Sequence, residues 1–409
     1  MFVDRSARRI AGARRLFVAL GVVPLALLAG VAVWARGDGR RSALEARVAA
    51  ALSLPVRIGT VSDPRPGVML LEDVVVGEGA AACIRLPEVQ VEESSREIRL
   101  VLTECDCPPP AARLWAALIR AWLDGDPRYR RDWVVACDRL TWGADGVGSP
   151  RVAVRVECVA TAGTRGVRLV AGGGETPADE IRIVNTPGGD RVECEARLSA
   201  PVPIEVLGAL AADDGAVALA AGATFMGQAR LERDRSGWNG TLSGTIDRVD
   251  LSRLTAGSAL PATGLATLSL DSASVSAGRV ASARIECRAR DGSVSRALVA
   301  GCIEWLGCRP GQALPAGEGC AFDVMAWRCR CESGELEFAG MLAGEALVAD
   351  HNGVLLLAPP GKVPCERLAW LASPPGVPVV PASPQSMALL RWLPLTATSP
   401  PSRVVGGRN

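Results

Sequence analysis

Alternating apolar and charged residues dominate the chain from about residue 132 onward. The clearest segments are DRVECEARL, ASARIECRAR and MAWRCRCE, and each places cysteine where valine or alanine would otherwise stand. Because successive side chains of a strand point to opposite faces, each segment predicts a strand with one apolar and one charged face. The apolar positions of interest are Val192, Cys194, Leu198, Ile285, Cys287, Cys329 and Cys331.

The region before residue 132 mixes strand and helix patterns. Ser42 and Glu45 form an S-x-x-E capping box, which predicts a helix that ends before Pro55. The segments LPVRIGTV, GVMLLEDVVVG and AACIRLPEVQVEE then predict three strands separated by Gly and Pro turns. A second helix is predicted from Pro110 to Leu123. The fold class predicted is therefore mainly β with a few short helices (α+β), built on an elongated, curled, antiparallel-rich sheet.

One helix within the strand-rich part is also well specified. Ser293 is a candidate N-cap, apolar residues recur at helical spacing after it, and Gly307 can end the helix. This apolar face predicts ordinary packing against the sheet.

An uncharged run of 20 residues, from Leu16 to Ala35, lies near the N-terminus. Its helical length of about 30 Å matches the hydrocarbon core of a bilayer. Five arginines precede it and outweigh the charge behind it, which predicts a cytoplasmic N-terminus and export of the rest of the chain. A cleaved signal peptide is the alternative, because Val33-Trp34-Ala35 has small residues where a signal peptidase cuts. The length of the run favours an uncleaved anchor.

The chain has few of the residues that common catalytic sites require. His351 is its single histidine and Lys362 its single lysine, so histidine-based relays and the phosphate-binding lysine loop are disfavoured. His351 precedes Asn352-Gly353, a pattern typical of a hairpin turn. A net charge of +1 gives no reason to expect nucleic-acid binding. We therefore predict no enzyme activity, catalytic residue, cofactor or metal.

The 13 cysteines allow more than one interpretation. Neighbouring cysteines of a C-x-C strand are about 6.6 Å apart on one face, which is too far for thiolates that share a zinc ion. We interpret the cysteines mainly as small apolar residues. Disulfides stay open because an exported chain meets an oxidising compartment, and Cys302 with Cys308, or Cys105 or Cys107 with a neighbouring strand, are candidates.

Two segments resemble AsmA-like proteins, a bacterial family anchored in the inner membrane. LPVRIGTVSDPRPGVMLLEDVVVGEG resembles the family's N-terminal segment. The stretch from GTLSGTIDRVDLSRL to DGSVSRALV is similar to the family's C-terminal module, with its elements at 249–254, 264–268, 278–279 and 292–298.

The resemblance implies a function in phospholipid transport or outer-membrane and envelope biogenesis. It implies an inner-membrane protein with most of its chain in the periplasm, anchored through residues 16–35, with phospholipid acyl chains and envelope proteins as partners. The seven apolar positions given above are then the candidate lipid-facing residues. The alternative is an anchored β-rich structural or interaction module without lipid transport, since a closed β-sandwich produces the same alternation.

The predicted organisation has five parts. They are a basic cytoplasmic tail (1–15), a transmembrane helix (16–35), an AsmA-like N-terminal region (42–131), a β-rich region (132–358) containing the C-terminal module (about 237–307), and a Pro-rich, partly disordered tail (359–409).

Overall fold

The computed structural model describes residues 38–78, 83–129, 131–141, 151–161, 163–172, 178–186, 191–205, 207, 222–256, 260–311, 317, 319–371 and 393. The predicted basic tail and membrane span lie outside these residues. In the described part of the chain, no helix is both long and apolar enough to cross a membrane.

The fold is mainly β, as the alternation predicts, and its strands form one long curled sheet. The strands within the described residues are β1 (Val56–Arg57), β2 (Thr60–Arg65), β3 (Val68–Val76), β4 (Ile84–Glu93), β5 (Glu97–Asp106), β6 (Asp132–Thr141), β7 (Arg151–Thr161), β8 (Thr164–Ala171), β9 (Asp179–Asn185), β10 (Val192–Pro203), β11 (Thr224–Asp234), β12 (Gly237–Asp250), β13 (Ala262–Ser276), β14 (Arg279–Ser295), β15 (Arg309–Pro310), β16 (Gly319–Glu332), β17 (Glu335–Gly340), β18 (Ala346–Asp350), β19 (Gly353–Leu357) and β20 (Val363–Pro364).

The strands pair almost entirely in chain order. β1 and β2 both pair with β3, and β3 through β14 then follow one another. At the C-terminal end, β16 pairs with β14, and both β17 and β18 pair with β16. β20 then pairs with β17, β19 pairs with β18, and β15 pairs with β19. The described pairs are antiparallel except β5 with β6, because a helix carries the chain back to the same end of the sheet between them.

The helices of the described residues are α1 (Asp38–Leu52), α2 (Pro109–Leu123), α3 (Leu251–Leu254), α4 (Arg296–Leu306) and α5 (Glu366–Leu371), with a 3₁₀ turn at Ala343–Glu345. α1 packs its partly buried face, which includes Leu44 and Val48, against the N-terminal part of the sheet. α2 is the crossover between β5 and β6, and α4 and α5 pack together at the C-terminal end.

Two predicted helix starts are wrong. α1 begins at Asp38, so Ser42 lies inside it, and the Glu45 carboxylate accepts a hydrogen bond from the Ile58 amide at 2.7 Å instead of closing a capping box. α4 is capped by Ser295, whose hydroxyl accepts from the Leu298 amide at 3.1 Å. Ser293 stays in β14 because it pairs with Ala321 of β16. The predicted end at Gly307 is confirmed, with φ +73 in the left-handed region.

Glycines and bulges accompany the curl of the sheet. Gly227 of β11 faces Gly244 of β12, with φ +151 and +143. A Cβ atom at Gly227 would lie 2.2 Å from the Ser243 carbonyl oxygen, so only glycine permits this close approach of the two strands. Register shifts between β12 and β13 and between β13 and β14 add local twist.

The buried side chains form two clusters. The first cluster extends from Val56 to Phe225 and is covered by α1 and α2, and the second extends from Ala223 to Leu393 and includes residues of α4. Leu242 and Ile246 of β12 pack against both clusters, which makes the apolar face continuous between them. The predicted tail forms β20 and α5 as far as Leu371, and the rest of it, apart from buried Leu393, lies outside the described residues.

Candidate functional site

A row of apolar side chains crosses the sheet from β3 to β20. Directly paired residues of neighbouring strands have their side chains on the same face. The row, called here the central row, consists of Met69, Val91, Leu100, Val135, Val156, Leu169, Ile181, Ala196, Ala229, Leu242, Ala273, Ala283, Cys331, Leu336 and Val363. No polar side chain interrupts it. At about 4.8 Å per strand its length along the curve is about 65–70 Å.

The seven candidate lipid-facing residues all lie on the face of the central row. Cys331 belongs to the row itself. A parallel row contains three more, and reads Leu198, Gly227, Gly244, Leu270, Ile285, Cys329 and Phe338. Cys287 lies opposite Leu268 and Trp327 in the next row, and Cys194 lies opposite Ile183 and Leu231 on the other side.

Val192 differs from the other six because its cross-strand partners are Asn185 and Arg233. It therefore occupies the polar rim of the apolar face. Contact of any of these residues with lipid stays a prediction.

Exposure varies along the apolar face. Leu198, Cys287, Cys329 and Cys331 are buried, with exposed fractions between 2% and 7%. Half-buried apolar residues lie in the middle of the sheet and also towards its N-terminal end. In the middle they are Val192, Cys194, Leu231, Leu242, Ile246, Leu268, Leu270 and Ile285, and in the N-terminal part of the central row they are Met69, Val91, Leu100, Val156 and Leu169. The face is thus closed at its C-terminal end, where Cys331, Leu336 and Val363 are buried, and partly accessible along the rest.

The opposite face of the sheet is charged and exposed. Glu195 of β10 lies between Arg182 and Arg230 on the neighbouring strands. Glu286 accepts a hydrogen bond from Arg328 Nε at 2.8 Å, and this guanidinium lowers the pKa of the Glu286 carboxyl. Rows of paired Arg and Glu side chains such as these are hydrated most favourably when their face is exposed to water, so they specify which face of the sheet turns inward.

An apolar cavity lies between α2 and strands β5 to β8. Its volume is about 110 Å³, and none of its lining side chains is charged. The lining residues are Leu102, Cys105, Cys107, Trp115, Ala116, Leu118, Ile119, Trp122, Tyr129, Trp133, Val135, Cys137, Leu140, Val154, Val156, Cys158 and Leu169. Three of them, Val135, Val156 and Leu169, belong to the central row. An engineered apolar cavity of about 150 Å³ binds benzene and stays free of water, so this volume suits part of an apolar ligand.

Arg165 of β8 lies at the edge of this cavity. Its guanidinium is 5.1 Å from the centre of the Trp122 ring and donates to the Tyr129 carbonyl oxygen at 3.3 Å. The Tyr129 hydroxyl donates in turn to the Ala51 carbonyl oxygen of α1 at 3.0 Å. The loop that follows α2 is therefore anchored to the fold through a buried tyrosine.

The thiols of the cavity are neutral. Burial raises the pKa of Cys107 and of Cys158 to about 12 and raises the pKa of Cys105 further. Because the thiolate is the nucleophile, these cysteines serve as apolar surface at neutral pH. The proposed disulfide partners for Cys105 and Cys107 do not form bonds in the structure, nor does Cys302 with Cys308.

No local sequence pattern predicts this cavity, because its lining comes from a helix and four strands. The available signal was the concentration of four tryptophans and four cysteines between residues 105 and 158, around the crossover helix. The structure leaves space between these side chains.

His351 lies in the turn between β18 and β19 and is exposed, as predicted. Lys362 precedes β20 and forms an ion pair with Glu335 at 3.0 Å. Comparison of the chain with models of protein families, with curated proteins and with solved structures finds no match.

Proposed function

We propose that this protein is an inner-membrane-anchored, periplasmic protein of the AsmA-like kind that holds phospholipid acyl chains on the apolar face of its sheet. In this proposal it takes part in phospholipid transport or in outer-membrane and envelope biogenesis. The observation that carries the proposal is the unbroken apolar central row from Met69 to Val363.

Half-covered apolar side chains in the middle of the sheet support a role in lipid binding. Leu231, Leu242, Leu268 and Ile285 keep part of their apolar surface accessible. Large apolar patches of this kind are typical of interaction sites. An acyl chain laid along them gains about 0.8 kcal/mol for each methylene removed from water.

The length of the apolar face suits movement of a lipid along the sheet. A chain bound at the middle strands has apolar neighbours in both directions along the central row. The cavity beneath α2 adds a place where the end of an acyl chain can be enclosed. The span at 16–35 holds this surface next to the membrane in the proposed topology.

A second candidate function is an interaction module of the cell envelope that carries no lipid. The two buried clusters favour it, because they cover much of the apolar face as an ordinary core would. In that case the half-covered residues at the middle of the sheet contact a partner protein.

Mass spectrometry of organic extracts tests the proposal. Residues 36–409, exported to the periplasm and purified without detergent, should carry stoichiometric phospholipid. A folded protein that repeatedly carries none would refute lipid binding and leave the interaction module.

Matched variants locate the site. Cys194→Asp places a charge on the half-buried part of the apolar face and should release the lipid, because an ionised carboxylate is costly in apolar surroundings. Thr241→Asp places the same charge on the exposed outer face, beside Arg230, and should keep the lipid. Equal lipid content in the two folded variants would exclude the apolar face as the binding surface.

A further inference from the structure

Two buried cysteines meet at the C-terminal end of the sheet. The sulfur atoms of Cys331 on β16 and Cys365 are 3.5 Å apart. Exposed fractions are 6% for Cys331 and 1% for Cys365. Among the cysteines of the described residues, this is the pair whose sulfur atoms are in hydrogen-bonding contact.

Backbone pairing brings Cys365 to this position. Val363 of β20 pairs with Leu336 of β17, and the Cys365 amide donates to the Gly334 carbonyl oxygen at 2.9 Å. Leu336 in turn pairs with Cys331 across the β16–β17 hairpin. These contacts carry the chain after β20 across the turn of the β16–β17 hairpin, where the Cys365 sulfur atom meets that of Cys331.

The electrostatics of the pair differ from those of its neighbour Cys329. A hydrogen bond joins the two sulfur atoms, with either thiol able to donate, and it lowers the pKa of Cys331. Burial raises the pKa of Cys329 to about 12. In the folded protein, Cys331 therefore loses its proton more readily than Cys329.

We propose that Cys331 and Cys365 form a structural disulfide that joins β16 to the segment that leads into α5. The oxidant is a small or protein disulfide. The thiolate of one cysteine attacks a sulfur of that disulfide and releases one thiol, which leaves a mixed disulfide. The second cysteine, after losing its proton, then attacks the mixed disulfide and releases the other thiol. The two cysteines are thus oxidised by two electrons while the external disulfide is reduced to two thiols.

The low exposure of both sulfur atoms determines when this exchange takes place. A thiol with almost no accessible surface does not meet an external disulfide in the folded protein. The exchange therefore occurs during folding, before β20 docks beside β17. The same burial then protects the finished bond from reductants.

The bond would hold in place the helices that follow. α5 begins directly after Cys365, Arg367 Nη1 of α5 donates to the Trp305 carbonyl oxygen of α4 at 3.1 Å, and the Trp305 and Trp370 rings are 5.1 Å apart. The disulfide therefore fixes the α4–α5 pair at the closed C-terminal end of the apolar face. This inference goes beyond lipid binding and does not depend on it.

A peptide map without reduction tests the inference directly. The full chain is synthesised cell-free into detergent micelles, once with oxidised glutathione and once with dithiothreitol, then denatured, alkylated and digested with trypsin. Cleavage after Arg330, Lys362 and Arg367 puts Cys331 in peptide 331–362, Cys365 in peptide 363–367 and Cys329 in a separate dipeptide. The glutathione sample should contain peptides 331–362 and 363–367 joined by a disulfide, and the dithiothreitol sample should contain both in alkylated form.

Two results would overturn the inference. One is alkylation of both cysteines in a glutathione sample whose circular dichroism shows folded protein. The other is a bond between either cysteine and a different one, such as Cys329. The lipid content of the protein decides the proposed function separately.

Variants provide a second measurement. Addition of dithiothreitol during synthesis should lower the urea midpoint of the wild-type protein and leave that of Cys365→Ala unchanged. Cys287→Ala, which removes a buried thiol without a sulfur partner, should keep the shift. A wild-type midpoint that is equal with and without dithiothreitol, together with alkylated Cys331 and Cys365, contradicts the bond.

Discussion

Filling the cavity beneath α2 separates its roles in stability and in lipid binding. Ala116 lines the cavity and is 2% exposed, whereas Ala117 on the same helix is exposed. Ala116→Leu adds three carbon atoms at a void of about 110 Å³. Burial of about 0.8 kcal/mol per added carbon gives an upper limit of about 2.4 kcal/mol, and imperfect fit reduces it.

We expect Ala116→Leu to raise the free energy of unfolding of the lipid-free protein by about 1–2 kcal/mol. The same variant should carry less phospholipid, since the leucine occupies space that an acyl chain would enter. Urea unfolding followed by tryptophan fluorescence measures the first effect, and mass spectrometry of extracts measures the second. Ala117→Leu is the control and should change both quantities little.

Two outcomes would refute this reasoning. A loss of stability of about 1–3 kcal/mol, the usual effect of overpacking, would show that the void does not exist in the folded protein. Unchanged lipid content in a stabilised variant would show that the cavity is real but lies outside the lipid site.

Three further predictions concern stability. Ser295→Ala should lower the free energy of unfolding by about 1 kcal/mol because it removes the N-cap of α4, and Ser295→Thr should restore most of it in urea titrations. Gly240→Ala should lower the melting temperature more than Gly361→Ala. Gly240 has φ +141 and an added Cβ atom would lie 2.0 Å from the Arg230 carbonyl oxygen, whereas a Cβ atom at Gly361 would meet open space. Equal melting temperatures of the two variants would contradict this prediction. Burial raises the pKa of Cys287 to about 12, so the unfolded chain loses this proton first as pH rises. The free energy of unfolding should therefore fall between about pH 9 and pH 12, by up to about 1.4 kcal/mol per pH unit for this thiol. The urea midpoint of Cys287→Ala should fall less steeply with pH than that of the wild-type protein. Equal slopes of urea midpoint against pH would disprove this.

Local alternation was enough to predict which face each strand turns inward. Cys194, Cys287 and Cys331 lie on the apolar face as expected, because side-chain direction in a strand depends only on whether positions are odd or even along it. The interpretation of these cysteines as small apolar residues agrees with their burial or half-burial in the structure.

Helix starts were predicted less well because they depend on competition with pairing. Ser293 and Ser295 are equally good caps as residues, and the choice between them follows from how far β14 continues to pair with β16. Ser42 likewise has the cap sequence, but Asp38 to Arg41 extend the helix ahead of it. The capping pattern indicates a helix nearby, and neighbouring elements decide where it begins.

The amino-acid sequence by itself determined the strand-rich class, the apolar and charged faces and the main helices, because these depend on propensities and periods within a few residues. Only the tertiary structure decided the alignment of the central row, the parallel pair at α2, the cavity and the contact of Cys331 with Cys365. These features depend on register between strands and on bulges. Register joins residues distant in the chain, such as Ala283 and Cys331, and no local pattern records which residues come to lie opposite one another.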